Sequence, residues 1–237
     1  MKIGKSIKEQ GWKVKVYYQQ FGLKQTVRRA IEKLGGKEVR TYEAFRRRYF
    51  PDKKELNRQR KEQFVYEPLF SIVVPLYKTP LPYLEDLIWS IQAQTYEKWK
   101  LYLSDGSGKE SSLKEVLRNY ARKEKRIHII ENDCRLNISD NTNRALEQVD
   151  GGYVVFVDHD DTLAPDALYE CVKVLNREPD VEVIYTDSDK LSENGKRYSE
   201  PCFKPDFNME LLRCQNYICH LTVIQKRFLD KVGYLNS

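Results

Sequence analysis

Asp158, Asp160 and Asp161 fall within four positions of one another, with His159 between the first two. Carboxylates this close repel, and the usual remedy is a hard divalent cation with oxygen ligands, often shared with the phosphates of a substrate. The acids directly follow Tyr153-Val154-Val155-Phe156-Val157, β-branched and aromatic residues that read as a strand buried on both faces. They therefore stand at the C-terminal end of a strand, where open α/β sheets bind ligands. The other reading of these residues is a surface turn, with Asp161 or Thr162 capping the helix that follows.

A site of this kind needs a sheet to carry it, and from Pro68 onward the sequence alternates between strand and helix patterns. Strands are predicted at Phe70 to Leu76, Trp99 to Leu103, Ile127 to Ile130, Tyr153 to Val157 and Glu182 to Tyr185. Leu84, Leu87, Ile88 and Ile91 share one helical face, as do Leu113, Val116, Leu117 and Tyr120, and then Leu168, Cys171, Val172 and Leu175. Alternating units predict an α/β fold with a mostly parallel sheet, right-handed crossovers and flanking helices. Pro75 and Tyr77 close the first strand, Ser104-Asp105-Gly106-Ser107-Gly108 the second and the acidic cluster the fourth, so the three loops open on one sheet edge.

Several chemistries lack their residues. Asp105-Gly106-Ser107-Gly108 is too short for a GxGxxG dinucleotide turn, no GK[ST] follows a glycine-rich loop, and no GxSxG elbow occurs. His128, His159 and His220 are widely spaced and have no cysteine partners at zinc-finger spacing.

At 237 residues, with 41% hydrophobic and 12% aromatic content, the chain suits one domain with an appendage. No stretch approaches the roughly 20 apolar residues of a membrane span, and the start lacks the apolar core of a signal peptide. The five cysteines form no CxxC pair and read as reduced, mostly buried thiols of a soluble cytosolic protein. The net charge of +6 conceals a division: residues 1–66 hold 19 Lys/Arg against 7 Asp/Glu, a balance of +12, and the remainder holds 22 against 28, a balance of −6. In the basic part Val27, Ala30, Ile31 and Leu34 follow helical spacing up to Gly35-Gly36, and Tyr42, Phe45 and Tyr49 make an aromatic seam beside Arg46-Arg47-Arg48. Such short amphipathic helices dock on an anionic membrane surface or on nucleic acid, or pack as a solvated extension on the main domain.

Four motifs in order, Phe70-Ser71-Ile72-Val73-Val74-Pro75-Leu76-Tyr77, Leu103-Ser104-Asp105-Gly106-Ser107, Asn137-Ile138-Ser139-Asp140-Asn141-Thr142-Asn143 and Asp158-His159-Asp160-Asp161, resemble the family 2 glycosyltransferases of GT-A fold. Tyr185-Thr186-Asp187-Ser188-Asp189-Lys190 and Glu200-Pro201-Cys202-Phe203-Lys204-Pro205-Asp206 are similar to the bacterial branch that builds surface polysaccharides, including rhamnosyltransferase-like members. The resemblance covers residues 66–237. It implies a GT-A, Rossmann-like domain over residues 67–237, with a nucleotide-binding part at about 67–165 and the start of an acceptor part at about 166–237. The basic helical extension of residues 1–66 precedes it.

By the same resemblance Pro75 and Tyr77 shape the wall beside the nucleotide, and Asp105 accepts from the ring N–H of uracil or thymine. Asp158-His159-Asp160 is the DxD motif, with Asp158 toward the ribose and metal and Asp160 ligating Mn²⁺ or Mg²⁺. Asn137 stands where the family has a glycine, and asparagine tolerates the left-handed backbone such a turn requires. The implied activity is inverting, metal-dependent transfer of a hexosyl or rhamnosyl group from a UDP- or dTDP-sugar to a polysaccharide or lipid-linked acceptor. The setting is the cytoplasm or the inner face of the cell membrane, with no nucleic-acid partner. The family's general base usually follows the Val232-Gly233 turn by some tens of residues, so the chain reads as C-terminally truncated. Asp187 and Asp189 are the internal candidates for the base, and Glu200 and His220 for substrate contact. In the apolar setting Tyr217-Ile218-Cys219-His220-Leu221, a hydrogen-bonded core histidine is the commoner reading of His220. The alternatives are a donor-binding but catalytically incomplete fragment or partner subunit, a nucleotidyltransferase, and a nucleic-acid-binding module.

Overall fold

The computed structural model describes residues 42–192, 195 and 197–236. The helical pattern at Val27 to Leu34 lies outside them. The chain divides into two compact units, one holding residues 42–50 with Leu191–Ser199, the other Pro51–Lys190 with Glu200–Ser237. The boundary expected at 66/67 falls inside the second unit.

In the smaller unit, helix α1 (Tyr42–Tyr49) places its aromatic residues three and four apart on one face. Ring centroids of Tyr42 and Phe45 are 6.0 Å apart, and those of Phe45 and Tyr49 4.7 Å. The Arg46 guanidinium lies 3.9 Å from the Phe50 ring and 3.4 Å from that of Tyr198, a cation–π stack.

The larger unit opens with α2 (Lys53–Gln59), capped by Asp52, whose carboxylate accepts from Glu55 N at 2.8 Å. Strands β1 (Phe70–Leu76), β2 (Trp99–Asp105), β3 (Ile127–Glu131), β4 (Tyr153–Phe156), β5 (Val183–Tyr185) and β8 (Thr222–Gln225) form one sheet in the order β3-β2-β1-β4-β8-β5. β6 (Ser188–Leu191) and β7 (Tyr198–Cys202) pair as a separate ribbon. The first four strands run parallel, whereas β8 runs antiparallel to both β4 and β5. The five predicted strands are present within one or two residues of their expected ends. Val157, expected in β4, lies just past it, yet its N–H still reaches Val73 O at 3.2 Å.

Strand alternation explains the layers. Ile72, Val74, Leu101, Leu103 and Val155 point to one face, under α3 (Leu81–Gln92), α4 (Lys114–Lys123) and α6 (Ala167–Arg177). Val73, Tyr102 and Val154 point to the other, under α5 (Ile138–Leu146) and α7 (Lys226–Val232). Leu84, Leu87, Ile91 and Leu168 are fully buried, each worth about 1.5–3 kcal/mol of transfer from water.

Three expectations are corrected. Only Cys171 of the five free cysteines is buried, because the others sit on loops and at element ends rather than on inward faces. The helix after the acidic cluster begins at Ala167 with Asp166 at its N-cap, so neither Asp161 nor Thr162 caps it. Asn137 has φ −71° and ψ 171°, an extended N-cap of α5 rather than a left-handed turn.

Candidate functional site

Register aligns the loops that carry the site. Leu76 pairs with Asp105 and Val73 with Phe156, so β1, β2 and β4 all deliver their chain to the same edge. Gly106 N donates to Leu76 O at 2.9 Å, and Lys78 N donates to Ser107 Oγ at 2.9 Å, which ties the first two loops together. Asn141 of α5 fixes the same point from below. Its Nδ2 donates to Leu76 O at 3.0 Å and its Oδ1 accepts from Ser104 Oγ at 2.7 Å, bonds that link two strand ends to a helix. A Cβ on Gly106 would stand 2.8 Å from that Nδ2, so the close approach requires glycine.

Asp105 is buried at the end of β2. One carboxylate oxygen accepts from Ser107 N at 3.0 Å and the other from the Ser111 hydroxyl. A carboxylate has about four lone-pair sites, so these bonds orient it without exhausting it. Tyr77 is exposed beside it and Pro75 is half-buried in β1. Both amide ends of Asn137 are engaged with Asp140, accepting from its N–H and donating to its carboxylate, each at 2.8 Å. The Asn137 side chain thus caps α5.

The acidic turn gathers a set that the sequence motif does not spell out. Asp158, Asp161 and His220 place one ligand atom each within 4.8 Å of one another. His220 Nε2 is 3.5 Å from Asp158 Oδ2, and its Nδ1 is 3.5 Å from Asp161 Oδ2. Asp161 N donates to Asp158 O at 3.2 Å, which folds the turn and brings both carboxylates to one side. Asp160 is exposed and is not one of the three, although its charge acts on Asp161. Burial is the main influence raising the Asp161 carboxyl. Asp158 and Asp160 raise it further, and His220 and His159 oppose them.

His220 arrives from the segment before β8. Thr186 N donates to Leu221 O at 3.2 Å and Leu221 N to Thr186 Oγ1 at 3.3 Å, so the end of β5 holds the residue after the histidine. The ring is half-exposed and faces carboxylates, in place of the core histidine that its apolar neighbours suggested. Burial lowers the nearby Lys204 ammonium and raises the Cys219 thiol.

The remaining candidates lie on other partners. Asp187 Oδ1 accepts from Lys204 N at 2.7 Å, and Asp189 lies in β6. Glu200 forms an ion pair with Lys190 at 2.5 Å.

The family profile described as glycosyl transferase family 2 matches residues 71–233, more than half of the chain and all of the loops just described. The chain belongs to that family. It is 37% identical over 206 residues to an uncharacterized protein, y4gI, of Sinorhizobium fredii, spanning 86% of this chain and 23% of that one. It is 33% identical over 170 residues to the O-antigen biosynthesis protein RfbC of Myxococcus xanthus, spanning 72% of this chain and 13% of RfbC. The family 2 chain thus spans less than a quarter of either relative. Among solved structures, a mannosyltransferase of Pyrobaculum calidifontis in complex with GDP-Man and Mn²⁺ superposes with a TM-score of 0.53 at 21% identity, over 76% of this chain and 53% of that one. Residues 1–349 of S. aureus TarS in complex with UDP superpose with a TM-score of 0.56 at 19% identity, over 71% and 50%. These likenesses establish the GT-A fold. Among the described residues no helix is long and apolar enough to cross a membrane.

Proposed function

We propose that this chain binds a nucleoside-diphosphate sugar at the edge formed by the loops after β1, β2 and β4, and that it transfers the sugar, with inversion, to a polysaccharide or lipid-linked acceptor. The observation that carries this reading is the convergence of Asp158, Asp161 and His220 at the carboxyl ends of parallel strands in a family 2 domain. The bound nucleotides of two fold neighbours, GDP-Man with Mn²⁺ and UDP, support it. The name of the RfbC relative supports a surface-polysaccharide acceptor.

Two carboxylates and an imidazole suit Mn²⁺, which accepts mixed oxygen and nitrogen ligands, better than Mg²⁺ with its preference for oxygen. A divalent cation held there would supply Lewis-acid neutralisation of the charge that collects on a departing diphosphate. Asp105, oriented by Ser107 and Ser111, accepts from the ring N–H of a pyrimidine base. Tyr77 and Pro75 form the adjoining wall. Asp189 is the proposed internal base for the acceptor hydroxyl, and Asp187 Oδ1 accepts from Lys204 N. The basic face of α1 is proposed to rest on the cytoplasmic leaflet, where lipid-linked acceptors reside.

The metal assignment divides two ligand sets, the motif pair Asp158/Asp160 and the geometric trio. Calorimetric titration of UDP with and without Mn²⁺ should show metal-enhanced binding in the wild type. Asp158→Asn and Asp161→Asn should each remove most of the enhancement, and Asp160→Asn should remove less. Equal UDP affinity with and without Mn²⁺ in the wild type would refute the metal reading, and loss confined to Asp158→Asn and Asp160→Asn would replace the trio by the motif pair.

A further inference from the structure

Lys204 extends its ammonium under the segment that delivers His220. Its Nζ donates to three successive carbonyls, Ile218 O at 3.3 Å, Cys219 O at 3.1 Å and His220 O at 2.7 Å. An ammonium has three N–H donors, and here one turn of backbone engages all three. Three carbonyl dipoles converging on one point repel unless a cation sits there, so the shape of this turn depends on the lysine. Lys204 is itself anchored, because its own N–H donates to Asp187 Oδ1 at 2.7 Å. The neighbouring Thr186 holds the far side of His220 through Leu221. Residues 186 and 187, at the end of β5, thus brace the histidine from both sides, one through Leu221 and one through Lys204.

From this geometry we infer that Lys204 is a positioning residue for His220, holding its ring against Asp158 and Asp161 in the orientation a bound divalent cation requires. The inference rests on the proposed metal site. It gives the Lys204 and Asp187 positions a role that neither residue has through contact with substrate. Its physical basis is the dependence of metal sites on the groups that orient their ligands, whose loss typically lowers metal affinity about 10- to 100-fold.

The test titrates the full chain with Mn²⁺ and follows the electron paramagnetic resonance signal of the free ion, with thermal melts to confirm folding. Lys204→Met should raise the Mn²⁺ dissociation constant about 10-fold or more. Lys204→Arg, which keeps a cationic donor, should recover most of that loss. In a His220→Ala background, Lys204→Met should change Mn²⁺ affinity little further, because the group it positions is gone. Should Lys204→Met fail to fold, Asp187→Ala, which removes the anchor alone, is compared in the same two backgrounds with the same expectation at smaller size. Unchanged affinity in the folded variants, or an equal loss with and without His220, would overturn the positioning role and leave the metal site standing. Absence of Mn²⁺ binding by the wild type would overturn both, and metal-free UDP binding would then show whether the donor cleft survives on its own.

Discussion

Burial raises the Asp161 carboxyl, and the neighbouring acids Asp158 and Asp160 add to it, so ionising this group costs more in the native protein than in the unfolded chain. The sign follows from linkage: a carboxyl with a raised folded value destabilises the native state at any pH above both values. The penalty fades as pH falls through the raised folded value toward the ordinary 3.8 and is gone below it. Asp161→Asn should therefore raise the melting temperature of the metal-free protein at pH 7 and lose that advantage as the pH is lowered toward 3.8. The gain should be on the order of 1–2 °C, since the side chain is 41% exposed and water screens its repulsion. The same substitution should abolish most Mn²⁺ binding. A melting temperature lower than wild type at pH 7 in the presence of a chelator would mean that Asp161 is a structural acid and that the turn stores no such tension. The acidic turn was legible in the sequence as a place for a cation. Its third member was not, because His220 reaches the carboxylates only through Thr186 and Lys204, contacts that link residues far apart in the chain and leave no local pattern.

At the scale of elements, α5 shows how a helix can be hidden by a motif. Asn137 caps it by accepting from Asp140 N at 2.8 Å, and Thr142, Ala145 and Leu146 supply its buried face. Those signals, an N-cap and apolar spacing, are in the sequence, but the family resemblance implies a turn at Asn137. Asn137→Ala should lower stability by about 1 kcal/mol, read as a shift in urea midpoint with an unchanged slope. Donor affinity should change far less if the side chain serves only the cap. Gly106→Ala tests the opposite kind of contact. Its Cβ would meet Asn141 at 2.8 Å and displace the bonds to Leu76 O and Ser104 Oγ. A loss of about 1–3 kcal/mol is expected, together with weaker UDP binding, because the same bonds hold the strand ends beside Asp105. The parallel strands were predictable since each is a continuous apolar run between turn residues. β6 and β7 are short, largely exposed and without alternation, so their sequence carries no strand signal. β8 is not among the predicted strands either, and its insertion between β4 and β5 in the antiparallel sense is a non-local pairing that no spacing encodes.

Across the whole molecule, charge is distributed unevenly, with +12 in residues 1–66 and −6 in the rest. Such an excess at one end is a solubility and association device rather than a folding one. In α1, Arg46 is committed to the rings of Phe50 and Tyr198, whereas Arg47 and Arg48 are exposed at the end of the helix. If this face meets an anionic leaflet, each of the two contributes about 1 kcal/mol, so replacing both by glutamine should weaken attachment roughly 30-fold. The full chain should float with vesicles containing anionic lipid and remain in solution with neutral ones. The attraction should decay as salt shortens the screening length from about 10 Å at 0.1 M to about 3 Å at 1 M. Folding and metal-dependent UDP binding should be untouched in the double glutamine variant, since neither arginine lies in the loops that carry the site. Flotation that is indifferent to lipid charge, or unchanged by the two substitutions, would assign the basic extension to packing or to another partner and leave the acceptor to be reached without the membrane.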